Sequence, residues 1–220
     1  MEYKYDMLTP NQPLTEIAIA QAIQELTKCD EDLAYIIETH GYPPNWEREK
    51  GFIGLVRIIL GQQVSVAAAN SIYNRLQSLI IPLSPENFLK FDDAQLQAVG
   101  LSRQKILYIR NLANAITNRE LNLDELERTD EAILRQELIK IKGIGEWTID
   151  IYLMMSLQRP DAFPKGDLGV IIAYQKLKNL PTRTTPKELE IIAEKWRPFR
   201  AIATRILWHY YLNQGVGNKS

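Results

Sequence analysis

The sequence predicts an all-α fold with two lobes. Apolar residues recur at three- and four-residue steps along most of the chain, which is the period of a helix that buries one face. No segment shows the alternation of apolar and polar residues that is typical of a half-buried strand. Because the helical segments are short and numerous, about ten of them, we expect two lobes rather than one simple bundle.

The helices can be placed in chain order from their start and stop signals. Asp30 or Asp32 caps the second helix and Gly41 ends it. Ser84-Pro85 and Thr185-Pro186 each mark a helix start with proline in the first turn. The predicted helices span residues 14–26, from 30 or 32 to 41, 52–60, 64–79, from 84 onward, 93–99, 103–117, 129–141, 146–156, 167–178, 185–195 and 198–212.

Composition excludes several classes of protein. The chain has 220 residues, 45% of them hydrophobic, which is enough for one substantial core or for two small lobes that share an interface. The single cysteine, Cys29, excludes an internal disulfide and any zinc or iron–sulfur site held by cysteines. No apolar run approaches the roughly 18–20 residues that span a bilayer, and residues 1–10 lack the pattern of a signal peptide. We therefore expect a soluble intracellular protein of the cytoplasm or nucleoid.

Charge is distributed unevenly, although the net charge is only −1. Residues 1–134 carry 12 Lys and Arg against 19 Asp and Glu, whereas residues 135–220 carry 14 against 8. A protein with one face that meets phosphates would show this asymmetry, but ordinary surface charge gives the same pattern. The charge pattern alone leaves both interpretations open.

The segment LIKIKGIGEWTID at residues 138–150 predicts a hairpin between two helices. Gly143 and Gly145 allow backbone conformations closed to other residues and leave no side chain in the way of a phosphate, while Ile144 fixes the turn in the core. The amides that begin the second helix then point its positive dipole end at an anion, which binds a phosphate without reading sequence. Carbonyls around the hairpin, at Ile141 and Ile144, can also hold a monovalent cation, K⁺ or Na⁺. A plain helix–turn–helix corner with a glycine C-cap is the alternative.

A second segment, DAFPKGDL at residues 161–168, offers one acid at the head of a helix, and this Asp167 lies 22 residues beyond Gly145. With the hairpin, it makes the chain resemble the helix-hairpin-helix DNA glycosylases that carry a Gly/Pro-rich loop and a catalytic aspartate (HhH-GPD). Within them the chain is most similar to the 3-methyladenine DNA glycosylase II (AlkA-type) branch. The resemblance extends from about residue 32 to residue 212. Its other landmarks are GYPP at 41–44, LVRIILGQQVS at 55–65, GLSRQK at 100–105 and WRPFR at 196–200.

The resemblance implies that Asp167 is the catalytic carboxylate. Alkylation at N3 or N7 gives a purine positive charge and makes it a good leaving group, so the C1′–N bond breaks toward an oxocarbenium-like sugar cation. A nearby carboxylate stabilises that cation and can orient the attacking water. Local reasoning favours another role, because aspartate is a preferred N-cap and a helix is predicted to start beside it. The two roles can coexist.

Trp147 bears on the mechanism. In relatives that also cleave the strand, the resemblance places a lysine at this hairpin position, where it attacks the sugar as a Schiff-base nucleophile. Tryptophan there implies release of the base by water without strand cleavage, and its ring offers a face to a cationic flipped base. Trp208 matches a second aromatic of the base pocket, and Ile151 stands where relatives have tyrosine, which changes the pocket's shape. Packing in the core is the alternative for both tryptophans.

Gln63 matches the residue that wedges into the duplex in place of the extruded nucleotide. An ordinary surface glutamine between two helices is the alternative. The other residues expected to contact DNA are Gln62, Ser65, Lys142, Gly143, Gly145 and Thr148. Arg197 and Arg200 either brace the C-terminal helix or touch phosphate, and His40 and His209 lack the spacing of a metal site.

These inferences predict a monofunctional hydrolase of base excision repair, similar to DNA-3-methyladenine glycosylase II, which acts on flipped-out 3-methyladenine and 7-methylguanine in duplex DNA. A glycosylase for deaminated or oxidised bases on the same fold and a noncatalytic DNA-binding module are the alternatives. We expect one lobe at about 46–159 with the hairpin at 131–157, a second lobe from 1–45 and 160–220, and an active-site cleft between them. The chain is too short to include the N-terminal β-rich domain of larger members. No cofactor is required, and a monomer is sufficient.

Overall fold

The computed structural model describes residues 14–214. Within that range thirteen α-helices occur and no β-strand, so the predicted all-α class is confirmed. None of these helices has both the length and the apolar character needed to cross a membrane. The expectation about a signal peptide concerns residues 1–10, which lie outside the described residues.

The helices fall into two compact units. In chain order they are α1 (Glu16–Cys29), α2 (Glu31–His40), α3 (Gly51–Gly61), α4 (Val66–Leu79), α5 (Pro85–Phe88), α6 (Asp93–Ala98), α7 (Arg103–Thr117), α8 (Leu123–Leu126), α9 (Glu131–Leu138), α10 (Glu146–Ile151), α11 (Leu168–Leu177), α12 (Pro186–Ala193) and α13 (Arg200–Asn213). Residues 48–152, with α3 to α10, form what we call the hairpin unit. Residues 14–47 and 153–214, with the remaining helices, form the terminal unit.

The hairpin unit is built around α3. This helix is apolar on nearly every side, and Leu55, Val56, Ile59 and Leu60 have no exposed surface, as expected for a helix surrounded by others. Helices α4, α7, α8 and α10 pack against it. Because α3 is buried to its last turn, its C-terminal carbonyls must find hydrogen-bond donors within the protein.

The terminal unit is built around α13, which packs against α1, α2 and α11. Asp30 connects α1 to α2. Its Oδ1 accepts the backbone N–H of Asp32 at 3.0 Å, and its Oδ2 accepts the indole N–H of Trp196 at 2.6 Å. Lys195 adds an ion pair of 2.8 Å to the same oxygen. Burial alone would raise the pKa of Asp30, but the hydrogen bonds from Lys195 and Trp196 outweigh burial and hold the pKa below its usual value.

Most predicted helix ends lie within about three residues of the observed ones, and Asp30, Ser84 and Thr185 are N-caps as predicted. Two differences have physical reasons. The four-residue helix α8 was not predicted, because four residues do not complete a recognisable period. The helix predicted over 146–156 changes at Tyr152 into a π-helix, Tyr152–Ser156. Over only five residues the spacing of apolar side chains is the same in a π-helix as in an α-helix, so the sequence does not distinguish them.

Candidate functional site

Asp167 is the N-cap of α11, so the local interpretation of this residue is confirmed. Its Oδ1 accepts the backbone N–H of Val170 at 2.9 Å and the indole N–H of Trp208 at 2.8 Å, and the residue is only 8% exposed. Gly169 lies beside this pair, since a Cβ on it would stand 3.1 Å from Asp167 Oδ1 and 3.4 Å from Trp208 Cδ1. Two donors therefore hold the carboxylate in one orientation, which is compatible with both a cap and a catalytic group.

The loop that leads to Asp167 is braced by α13. Arg200 donates from Nε to Asp161 Oδ1 at 2.9 Å and from Nη2 to Asp161 Oδ2 at 2.9 Å, and Arg197 contacts the same carboxylate. The backbone N–H of Ala201 donates to the carbonyl of Pro160 at 3.0 Å. The contacts observed for Arg197 and Arg200 are thus those of the bracing role.

Trp208 is partly buried and meets Trp46 edge to face, with ring centroids 5.9 Å apart and planes at 69°. Trp46 lies between α2 and α3 and is also partly buried. The sequence analysis missed Trp46, because it belongs to no helical period; its place directly after GYPPN at 41–45 was the one available signal. Asp167, Trp208 and Trp46 form what we call the acid–indole cluster, and all three belong to the terminal unit.

The hairpin in the other unit runs from α9 through residues 139–145 to α10. Ile144 is 3% exposed, which confirms that it anchors the turn in the core. Gly143 has a φ of 107°, which favours glycine, and a Cβ there would stand 2.2 Å from the ring of Tyr108. Gly145 is the N-cap of α10, has an ordinary φ of −109° and has open space where a Cβ would lie. The prediction of special backbone conformations at both glycines is therefore correct only for Gly143.

Gln62 connects the end of α3 to this hairpin. Its Nε2 donates to the carbonyl of Gly143 at 3.1 Å and to Thr148 Oγ1 at 3.0 Å. Thr148 is 2% exposed. The polar groups of Gln62 and Thr148 thus contact each other inside the unit, and their predicted contacts with DNA stay predictions.

Gln63 differs from its neighbour in being exposed. Its φ of 57° lies in the left-handed region, which costs a non-glycine residue on the order of 1 kcal/mol. Ser65 caps α4 by accepting the N–H of Ala68 at 3.3 Å, and Lys142 is exposed at the hairpin turn. The predicted DNA contacts of Gln63, Ser65 and Lys142 also stay predictions.

Trp147 and Ile151 lie on α10, the first partly buried and the second 4% exposed. Arg135 joins α9 to α10 through ion pairs with Asp150 at 2.5 Å and with Glu146 at 3.2 Å. Burial raises the pKa of Asp150 to about 6, although Arg135 acts in the opposite direction. The places of Trp147 and Ile151 in a base pocket stay predictions.

Two further predictions concern ions. The carbonyl of Ile141 accepts the backbone N–H of Ile144 at 2.9 Å, and the predicted monovalent cation at the carbonyls of Ile141 and Ile144 stays a prediction. Between residues 14 and 214, no three His, Cys, Asp or Glu side chains are grouped so that they could hold a metal ion. His209 Nε2 lies 2.9 Å from the carbonyl of His40, so these histidines contact each other.

Comparisons with known proteins identify the family of this chain. Residues 56–198 match the family described as HhH-GPD superfamily base excision DNA repair protein. The chain is 32% identical over 199 residues to DNA-3-methyladenine glycosylase 1 of Schizosaccharomyces pombe, with 87% of each protein covered. Among solved structures it is similar to a 3-methyladenine DNA glycosylase of the same yeast in complex with abasic DNA, with a TM-score of 0.79, 32% identity, and coverage of 86% of this chain and 95% of that one. It is also similar to a DNA-3-methyladenine glycosidase of Bacillus halodurans, with a TM-score of 0.69, 30% identity and 90% of each chain covered. The chain belongs to the HhH-GPD superfamily of base excision DNA repair proteins.

Proposed function

We propose that this chain is a monofunctional DNA glycosylase, which hydrolyses the N-glycosidic bond of alkylated purines such as 3-methyladenine and 7-methylguanine in duplex DNA. The observation that carries the proposal is the acid–indole cluster, in which a buried carboxylate accepts a hydrogen bond from one partly buried tryptophan, whose ring meets a second. The names of the similar proteins, 3-methyladenine glycosylases of yeast and Bacillus, support the class of lesion.

Asp167 is the group proposed to act on the sugar. An alkylated purine leaves as a neutral base, and positive charge then develops on the sugar as the C1′–N bond breaks. A carboxylate fixed beside that sugar stabilises the developing cation without having to reorient, because Val170 and Trp208 already hold Oδ1. The same carboxylate orients the water that attacks C1′.

The tryptophans are proposed to bind the base. The cluster offers the edges and faces of two indole rings at 69° to one another, and a flat cationic base interacts with such a face by about 1–2 kcal/mol once water is removed. Trp147 and Ile151 are also proposed to bind the base. A site of this kind favours electron-poor methylated purines over neutral oxidised bases.

The hairpin unit is proposed to hold the DNA. Open space surrounds the position of the missing Cβ of Gly145, so no side chain there would block a phosphate at the start of α10, and the exposed Lys142 lies at the same turn. Gln63 is proposed to fill the space of the extruded nucleotide. Since one copy of the chain carries all of these groups, we propose that it acts as a monomer on double-stranded DNA.

Trp147 also carries the proposal that the strand is not cut. A Schiff-base mechanism needs an amine at the sugar, and the hairpin position that would supply it holds an indole. The product is therefore an intact strand with an abasic site. Trapping with borohydride, which captures Schiff bases, should give no covalent protein–DNA complex; such a complex would contradict this part of the proposal.

The main experiment measures bases released from methylated duplex DNA. Wild type should release 3-methyladenine and 7-methylguanine, and Asp167→Asn should slow release by about a thousandfold or more while binding DNA normally, because the amide carries no charge. Asp30→Asn is the matched control, since Asp30 is also a buried cap with an indole donor; assayed where it is folded, it should release bases at the wild-type rate. Preferential release of hypoxanthine or 8-oxoguanine would favour a glycosylase for deaminated or oxidised bases. Release of none of these bases would favour the noncatalytic DNA-binding module.

A further inference from the structure

The end of α3 contacts a buried ammonium group that the mechanism above does not use. Lys105, on α7, is 8% exposed, and its Nζ donates to the carbonyl of Leu60 at 2.5 Å. Burial lowers the pKa of Lys105, and no Asp or Glu in residues 14–214 is close enough to oppose that effect. A buried ammonium group without a carboxylate partner is unfavourable, so packing alone does not explain its place.

The bond from Lys105 stabilises the point at which α3 stops. Leu60 has no exposed surface, so its carbonyl, one of the last four of the helix, cannot bond to water. A cation there also interacts favourably with the negative end of the helix dipole. The helix ends at Gly61, and the N–H of Gln62 turns back to the carbonyl of Ile59 at 3.2 Å.

Gln63 follows this fixed point and is exposed in the left-handed conformation. The side chain of Gln62 is bonded to the hairpin on one side of it, and Ser65 caps α4 on the other. An exposed residue with an unfavourable φ keeps one position only when the segments that flank it are held. We propose that Lys105 is a positioning residue for base extrusion, which fixes the end of α3 so that Gln63 enters the duplex in one orientation. This inference rests on the proposed function, in which Gln63 is the wedge.

The test measures extrusion of the nucleotide separately from cleavage of the glycosidic bond. A duplex that carries 2-aminopurine beside a tetrahydrofuran abasic analogue has no bond to cleave, and its fluorescence rises when the neighbouring stack is opened. Lys105→Met, which removes the ammonium group at similar length, should slow this rise by about tenfold, because a small displacement of a positioned group is enough to lose its action. Its affinity for undamaged duplex should stay unchanged, which a general loss of folding would not produce. Lys90→Met, at an exposed lysine of the same unit, is the matched control and should behave as wild type.

Gln63→Ala tests the wedge itself. It should slow the same step, and the double variant Lys105→Met/Gln63→Ala should be no slower than Gln63→Ala alone, because the two residues act as one unit. Slow extrusion by Gln63→Ala with wild-type extrusion by Lys105→Met, or effects that multiply, overturns the role of Lys105. Wild-type extrusion by Gln63→Ala overturns the wedge and this inference together, while base release still reports on the proposed function. If Lys105→Met does not fold, Lys105→Leu, which also cannot donate to the Leu60 carbonyl, replaces it, and wild-type extrusion in that variant overturns the inference equally.

Discussion

Two aspartates of the terminal unit, Asp30 and Asp167, have nearly the same local structure. Each caps a helix, accepts a backbone N–H through Oδ1 and accepts an indole N–H, from Trp196 in one case and from Trp208 in the other. Each is less than one tenth exposed. The local geometry of these carboxylates is therefore not what separates a structural aspartate from a catalytic one.

The difference lies in the tryptophan partners. Trp196 is 1% exposed and packs edge to face on Phe163, with ring centroids 6.2 Å apart. Lys195 forms an ion pair with the Asp30 carboxylate. Trp208 is only partly buried, and its ring meets Trp46, which is partly buried as well. A carboxylate behind a fully buried ring is shut off from ligands, whereas one behind a partly exposed aromatic surface can meet a ligand.

Replacing the tryptophan of each Asp–Trp pair by phenylalanine removes the indole N–H. This change should give the largest difference between the proposed catalytic role of Asp167 and the structural role of Asp30. Trp208→Phe should slow base release by about a hundredfold, because one donor that orients the proposed catalytic carboxylate is lost. Trp196→Phe should instead lower the free energy of unfolding by about 2–4 kcal/mol, through a cavity and an unpaired buried acceptor. Urea unfolding and single-turnover release, measured on both variants, check the comparison. Equal losses of stability with equal rates would mean that the two pairs have the same role.

A smaller effect is expected at Gly169, which touches the Asp167–Trp208 pair without bonding to it. A methyl group in Gly169→Ala would stand 3.1 Å from Asp167 Oδ1, so the carboxylate must shift by a few tenths of an ångström. We expect base release to fall by about tenfold. Stability should be unchanged or rise by up to about 1 kcal/mol, because alanine is the better helix former.

Gly166→Ala is the control for this change. Gly166 also flanks Asp167, but open space surrounds the position of its missing Cβ. Release by Gly166→Ala should match wild type. If Gly169→Ala also released bases at the wild-type rate, the orientation of Asp167 would not limit the reaction.

The sequence was sufficient for most of the fold. Helical periods and capping residues located nearly all helices, and α7 was placed at its observed ends because its apolar face is regular. The structure adds that Ser102 caps it. Local reasoning also recognised Asp167 as a cap, from the residue type and the predicted helix start. What it could not do was to distinguish Asp167 from Asp30, since that distinction depends on how exposed a distant tryptophan is.

The parts of the site that were missed all depend on contacts between residues far apart in the chain. Trp46 joins the cluster only because the segment after α2 packs against α13. The bond between Gln62 and Thr148 forms because α10 packs against α3, and no pattern in the sequence indicates it. Periodicity describes one segment at a time, so it carries no information about such pairs.

The smallest expected effect is the contribution that the charge of Asp30 makes to the free energy of unfolding. The pKa of Asp30 is below its usual value, so the ionised form is the one that stabilises the fold. This contribution is fully present above the ordinary aspartate pKa of about 4 and is lost as the pH falls through the lower pKa of the folded state. Lys195 is about half exposed, so the charge contribution should be below about 1 kcal/mol and should shrink in high salt. Unfolding free energies measured from pH 5 to pH 3 should fall more steeply for wild type than for Asp30→Asn; parallel curves would show that Asp30 acts through its hydrogen bonds alone.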